Sequence, residues 1–367
     1  MAMRRNERLE TMLADAHARQ RCAAPHDCNL QEASRRRVRN GELLSPMEGL
    51  FIDIPYWNGL DQPRQAWHLA LGLQELRPGK YCFDGPTGAM LMGFEVPRVL
   101  HAGGLFVVGT RRDNRTVPMA TSAPARGWKV PATLNKLYIP DDDPAEQWNV
   151  GGVVVTSPVR QLVVIAAMTD FPHALAVFDS AMKTIPAVND DRLLEFASRS
   201  AGSLGVPVDK VRQLVDYANP LSDNGGESFA RGVMIQQGFL LPDLQVQFPN
   251  PDNPDFPYRV DFCWRLPNGV VIVGELDGKD KYGDPVMTRG KSPAQIGHEE
   301  SRRETWLVRH CGVTRVFRFT FADVLNTERF IALLLSAGIP RCNRGFMAPL
   351  NCSGGAYAAP DWCAMIQ

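Results

Sequence analysis

Asp261 and Glu275 stand in two β-rich runs, Tyr258 to Leu266 and Val270 to Asp277, on either side of Pro267-Asn268-Gly269. A three-residue loop of this composition, with Gly available for the left-handed position, closes an antiparallel hairpin. If Leu266 pairs with Val270, Asp261 lies directly across from Glu275. Alternation then puts Asp261, Cys263 and Arg265 on one face with Val271, Val273, Glu275 and Asp277. It turns Val260, Phe262, Trp264, Ile272 and Leu276 toward a core. Like charges opposite one another destabilise a sheet, so the pair of carboxylates asks for a cation. Mg²⁺ (or Mn²⁺) held by Asp261, Glu275 and water is the simplest answer. Such an ion polarises a phosphoryl oxygen and acidifies a bound water, and Lys279 and Lys281 are the candidates to steady the nucleophile or the developing charge.

Those residues need elements to carry them. Glu227 falls in the first turn of a helix beginning GESFARGVM and can add a third carboxylate, although a lone Glu there also simply complements the helix dipole. Gln245 begins a strand that leads back to the hairpin. Glu300, Arg302 and Arg303 lie on a helix ending near Cys311-Gly312, followed by a strand from Thr314 to Phe319. Residues 289 to 318 carry seven basic and three acidic residues, a local excess suited to a phosphate backbone.

The N-terminal region has a different signal. Leu9, Met12, Leu13 and Ala16 form the stripe of an amphipathic helix over residues 5 to 20. Asn29 with Glu32 reads as a capping box that opens a second helix, and Gly41 stops it. Arg35, Arg36 and Arg39 lie close together on that helix, and the first 40 residues hold nine Arg against five acidic residues. Glu42 to Ser45, a turn through Pro46 to Gly49, and Leu50 to Asp53 predict a hairpin. A basic helix followed by a hairpin is the outline of a winged helix-turn-helix that binds DNA, with a small helical cap bearing a solvated Arg face as the plainer reading.

Residues 61 to 218 predict a mixed α/β domain. Helices are expected at Gln65 to Leu76, Gly85 to Met92, Pro158 to Ala167, Ala174 to Met182 and Asp191 to Ser200, with strands at Lys80 to Phe83 and Val153 to Val155. Asp141-Asp142-Asp143 reads as a solvated turn. Forty Lys plus Arg against forty Asp plus Glu exclude a globally basic nucleic-acid binder, and 44% hydrophobic residues exclude disorder over most of the length. Eight cysteines without a CxxC pair support neither a disulfide framework nor a paired-Cys zinc site. The charged N-terminus and the lack of a long apolar run predict a cytoplasmic protein without a membrane partner.

From about residue 29 to residue 325 the chain resembles actinobacterial proteins in which an AbiEi-type antitoxin-like region precedes a domain of the PD-(D/E)XK nuclease superfamily, similar to very-short-patch repair endonucleases. The resemblance rests on RRVRNGELLSPMEGLFI, VTSPVRQLVVIA, NPLSDNGGESFARGVM with LPDLQVQF, RVDFCWR, GELDGKDKY and EESRRETWLVRHCGVTRVFRF. It implies an α/β (α+β) chain. Residues 1–60 would be a winged-helix-like DNA-binding segment, 61–218 an AbiEi-like mixed α/β domain, and 219–340 an αβββαβ nuclease-like core; residues 341–367, with three Cys among Gly, Ala and Pro, lie outside the resemblance and read as a poorly ordered tail. It further implies a metal cluster of Asp261 and Glu275 with Glu227 and Asp277. Asp277 occupies the superfamily's usual lysine position, and related sequences with KY after the acidic motif assign that role to Lys281, with Lys279 as the alternative. The implied activity is metal-dependent hydrolysis of DNA phosphodiesters. The alternatives are a non-catalytic antitoxin-like DNA-binding regulator and a protein-binding antitoxin with a cognate toxin as its partner.

Overall fold

Asn6 starts α1 (Glu7–Ala18) by accepting the Leu9 amide on its side chain, and Leu9, Leu13 and Ala16 bury the expected stripe. The computed structural model describes residues 6–111, 133–185, 190–278 and 293–342. Lys279, Lys281 and all but the first two residues of the expected tail lie outside the described residues. In α2 (Cys28–Arg39) the expected Asn29 and Glu32 capping box is replaced by Asp27, whose carboxylate accepts the amides of Asn29 and Leu30. Asp27 precedes the helix in extended backbone, where a side-chain oxygen reaches both amides, and Glu32 turns to Arg39 instead. Gly41, at φ 74°, follows the helix as expected. The hairpin is present but short, β1 (Leu43–Leu44) against β2 (Ile52–Asp53).

The chain divides into two compact units, 1–215 and 216–367. The expected boundary at residue 60 is not a break in packing: Cys22, Leu50, Ile52 and Trp57 share one core with Leu69, Phe83, Val107 and Val155. After β2 the first unit continues through α3 (Ile54–Asn58), α4 (Gln62–Leu76), α5 (Gly85–Leu91), parallel β3 (Leu105–Val108) and β4 (Leu134–Leu137), and antiparallel β5 (Gln147–Val150) and β6 (Val153–Thr156). It ends with α6 (Pro158–Met168), α7 (Phe171–Thr184), α8 (Asp190–Leu204) and all but the last two residues of α9 (Val208–Tyr217). The strand expected at Lys80 to Phe83 reduces to Phe83, which bridges Val107 on one side and Val155 on the other. Asp84 caps α5 directly afterwards, so the chain leaves the extended conformation there.

Asp84 has a second role. Its Oδ2 accepts from Arg160 Nε and Nη2 at 2.9 and 2.8 Å, and its Oδ1 accepts from the Thr156 hydroxyl at 2.8 Å. Arg160 also donates to Asp142 at 2.8 Å, so the acidic turn expected to be merely solvated supplies a partner to a buried cation. Side-chain exposures of 1% for Arg160 and 0% for Asp84 make this a fully buried pair. Removing one member strands the other charge. Asp84→Ala should therefore destabilise the first unit by about 3–5 kcal/mol. Native-state hydrogen exchange of the α5 and α6 amides checks this, and unchanged protection would refute it.

The second unit runs α10 (Gly225–Gln236), β7 (Asp243–Phe248), β8 (Tyr258–Arg265), β9 (Val271–Asp277), α11 (Pro293–His310), β10 (Arg315–Thr320), α12 (Phe321–Leu325) and α13 (Thr327–Ala337). From α10 to β10 this is the expected αβββαβ order, with the sheet ordered β10-β9-β8-β7. β7, β8 and β9 are antiparallel neighbours, whereas β10 joins β9 in parallel after the α11 crossover. The β8–β9 register is the expected one: Phe262 faces Gly274 and Arg265 faces Val271, with Leu266 N–H donating to the Val270 carbonyl at 2.8 Å and Gly269 at φ 80°.

Phe262, Trp264 and Ile272 meet Phe229, Met234, Phe330 and Leu334 on one face. Cys263 and Val273 meet Leu307 of α11 in a second cluster. Val260 belongs to that second cluster, not to the first as strict alternation predicts. Between the pairs Leu244–Phe262 and Val246–Val260, Gln245 takes φ 53°, and this left-handed residue interrupts the pleat. Gly274 gives the tight packing in the middle of β9 its room: a Cβ there would lie 3.0 Å from both Phe317 and Trp264 ring atoms, which would have to shift.

Candidate functional site

Local rules place each carboxylate. Asn224 caps α10 by accepting the amides of Gly226 and Glu227, which sets Glu227 in the first turn. Glu227 is buried at 3% exposure, where its two oxygens accept from Asn224 Nδ2 at 2.7 Å, the Asp223 amide at 2.9 Å and Gln245 Nε2 at 2.8 Å. Asp261, on β8, accepts the Leu276 amide on Oδ2 at 2.9 Å, tying its carboxylate to β9. Glu275, buried on β9, accepts from Arg303 Nη2 at 2.6 Å and lies 3.4 Å from Arg318 Nη2. Arg318 also reaches Asp277 at 3.2 Å and Glu300 at 3.3 Å.

Burial, the largest cause, pushes the Glu227 carboxyl up to about 7; the charges of Asp261 and Asp223 add to the rise, while hydrogen bonds from the Asp223 amide and Gln245 oppose it. At Arg318 burial works against the charge, but the surrounding carboxylates of Glu275, Asp277, Glu300 and Glu304 outweigh it and raise its pKa. Arg318 is thus a fixed cation in the site. Sequence reasoning missed it, because Arg318 comes directly beside Glu275 only through the parallel pairing of β10 with β9.

Arg303 turns inward to Glu275 and also donates to the Arg259 carbonyl at 2.6 Å. Arg302 remains outside and pairs with Asp252. On α2, Arg35 and Arg36 are exposed, whereas Arg39 donates to Glu32 at 2.7 Å. Among the described residues no group of three or more His, Cys, Asp or Glu side chains is arranged to hold a metal ion, and no helix is long and apolar enough to cross a membrane. An observation that suits a hard cation is the buried Gln245 Oε1 beside Glu227, an oxygen with no hydrogen-bond partner among the described residues.

No protein-family model matches the chain, and no solved structure matches it. It is similar to two uncharacterized proteins of Mycobacterium tuberculosis, from two strains, each 30% identical over 144 residues, which is 39% of this chain and 50% of the relative. The chain thus spans about half the length of the curated relatives it matches.

The raised Glu227 pKa has a stability consequence whose sign is fixed. The folded-state value lies above the unfolded one, so the protonated carboxyl's contribution is complete below pH 4.5 and is lost as pH rises through about 7. In metal-free buffer Glu227→Gln should exceed the wild type in stability at pH 8 by up to roughly 3 kcal/mol, with little difference below pH ~4.5. Hydrogen exchange of the β8 and β9 amides at both pH values tests it; parallel behaviour of the two proteins would be the contrary result.

Proposed function

We propose that the second unit is a metal-dependent phosphodiesterase acting on DNA. The observation that carries this reading is the αβββαβ order, with Glu227 of α10 hydrogen-bonded to Gln245 of β7, Asp261 of β8 tied to the Leu276 amide of β9, and Glu275 of β9 held by Arg303 of α11. Asp261 and Glu275 would hold Mg²⁺ or Mn²⁺, with Glu227 assisting. The ion supplies Lewis-acid polarisation of the phosphoryl oxygen and a water acidified for attack.

The chain's own groups do the remaining work. Glu227, with its pKa near neutrality, holds or releases a proton at its carboxyl oxygens in the working pH range. Arg318 holds Glu275 and Asp277 in place and keeps a positive charge beside them. Lys281, with Lys279 as the alternative, remains the proposed lysine. Arg35 and Arg36, exposed on α2, would contact DNA backbone, and the short β1–β2 hairpin would be the wing.

A second reading has its own support. Arg303 and Arg318 already answer the Glu275 charge, and Asp277 stands where the superfamily places lysine. A DNA-binding, antitoxin-like regulator with a non-catalytic nuclease fold would have that pattern, and a cognate toxin would then be the further partner.

Incubation of supercoiled DNA with the full chain and Mg²⁺ or Mn²⁺ separates the two. The phosphodiesterase reading expects nicking that EDTA stops, that Glu275→Ala or Asp261→Asn reduces to background, and that Arg318→Met slows by roughly a hundredfold. A gel shift without nicking on every DNA form would establish the regulator instead. Arg35→Ala combined with Arg36→Ala should weaken DNA binding in either case and flatten its salt dependence by about one unit of slope for each phosphate no longer neutralised. Unchanged binding by that double variant would remove α2 from the interface.

A further inference from the structure

α11 contributes to a second feature that the phosphodiesterase reading leaves unused. Together with the start of β8 and the Pro251–Asp252 loop it lines a pocket of about 420 Å³. Trp306 and His310, one turn apart on α11, pack with ring centroids 4.2 Å apart, and Tyr258 lines the same pocket. Trp306 Nε1 donates to the Pro249 carbonyl at 3.0 Å, which anchors the indole edge. Arg302 and Arg309 are exposed lining residues, and Arg302 is held by Asp252.

Flat rings beside exposed guanidiniums match a particular ligand chemistry. Aromatic faces stack on any base, and guanidinium groups receive phosphate oxygens. A base-paired nucleotide keeps both its faces inside the duplex stack, so only an unpaired one can present a face to a ring. The volume lies within the range of small-ligand sites, as one nucleotide requires. Arg303 joins this pocket to the carboxylates: its guanidinium lies 5.7 Å from the Tyr258 ring while it donates to Glu275.

We propose that this pocket binds one unpaired nucleotide of a DNA strand, with the base against the Trp306–His310 pair and the phosphate on Arg309. The proposal rests on the DNA-acting reading for the identity of the polymer, and it makes single-stranded or locally opened DNA the substrate class. Tyr258 lines the pocket and lies against Arg303, which donates to Glu275, so the bound nucleotide would sit one side chain away from the carboxylate site.

The test is fluorescence anisotropy of a labelled single strand of about twelve nucleotides, a duplex of the same sequence and the matching RNA strand, titrated with the full chain in EDTA. Trp306→Ala should weaken single-strand binding by roughly tenfold, and Trp306→Phe should restore most of it. Arg309→Ala, at an exposed position, should weaken it as well and covers the case in which Trp306→Ala does not fold. Duplex affinity should change less than about twofold in each variant. Unchanged single-strand affinity in Arg309→Ala and any folded Trp306→Ala overturns the proposal, as do equal losses on single strand and duplex, or RNA bound more tightly than DNA. Because binding is read without metal, absence of nicking with intact, Trp306-dependent binding would defeat the phosphodiesterase reading alone. Nicking with Trp306-independent binding would defeat the pocket alone.

Discussion

β9 is held on both sides, antiparallel to β8 and parallel to β10, and this double pairing governs the second unit. Its residues facing the larger core must be thin or apolar: Gly274 leaves room for Trp264 and Phe317, and Ile272 fills the space beside them. The neighbouring position in the strand carries Glu275 into a buried environment. A carboxylate there is expensive unless cations and hydrogen bonds surround it. The parallel register places Arg318 alongside it, and α11, the crossover that a parallel pairing demands, delivers Arg303. The arginine cage around Glu275 is thus a consequence of the topology.

The same crowding explains the behaviour of Glu227. It approaches from α10 with three hydrogen-bond donors, but burial and the charges of Asp261 and Asp223 still push it toward the neutral form. The interrupted pleat at Gln245 contributes to this arrangement, because the residue that departs from strand geometry is the one whose amide reaches Glu227. The first unit solves a comparable problem by different means. Arg160 and Asp84 are buried together, and Thr156, the Gly85 amide and Asp142 occupy their remaining hydrogen-bonding positions. In that unit the buried charges tie α6 to the start of α5 and to the turn around Asp142.

Much of the second unit was legible in the sequence because the strongest signals were local. The Pro267-Asn268-Gly269 turn determines which residues of β8 and β9 face each other, and that register holds from Arg265–Val271 to Phe262–Gly274. Where a local signal competed with another of the same kind, the reading slipped. Asp27 displaced Asn29 as the cap of α2, since both residue types cap helices and only the helix start decides between them. The strand read at Lys80 to Phe83 shrank to one bridging residue because Asp84 begins a helix immediately after it.

From the sequence alone came the αβββαβ order, the β8–β9 register, and the carboxylates Glu227, Asp261, Glu275 and Asp277 as the groups to watch. The register follows from residue alternation and turn chemistry within a short stretch of chain, and the full order and carboxylate set from the local motifs that carry the family resemblance. Tertiary structure decided what answers those carboxylates and what lies beside them. Arg318 meets Glu275 only through a parallel pairing. Arg303 meets it only because α11 packs back on the sheet, and the Tyr258–Trp306 pocket arises from that same packing. Contacts between residues far apart in the chain leave no periodic trace, so their partners become visible only when the sheet is assembled.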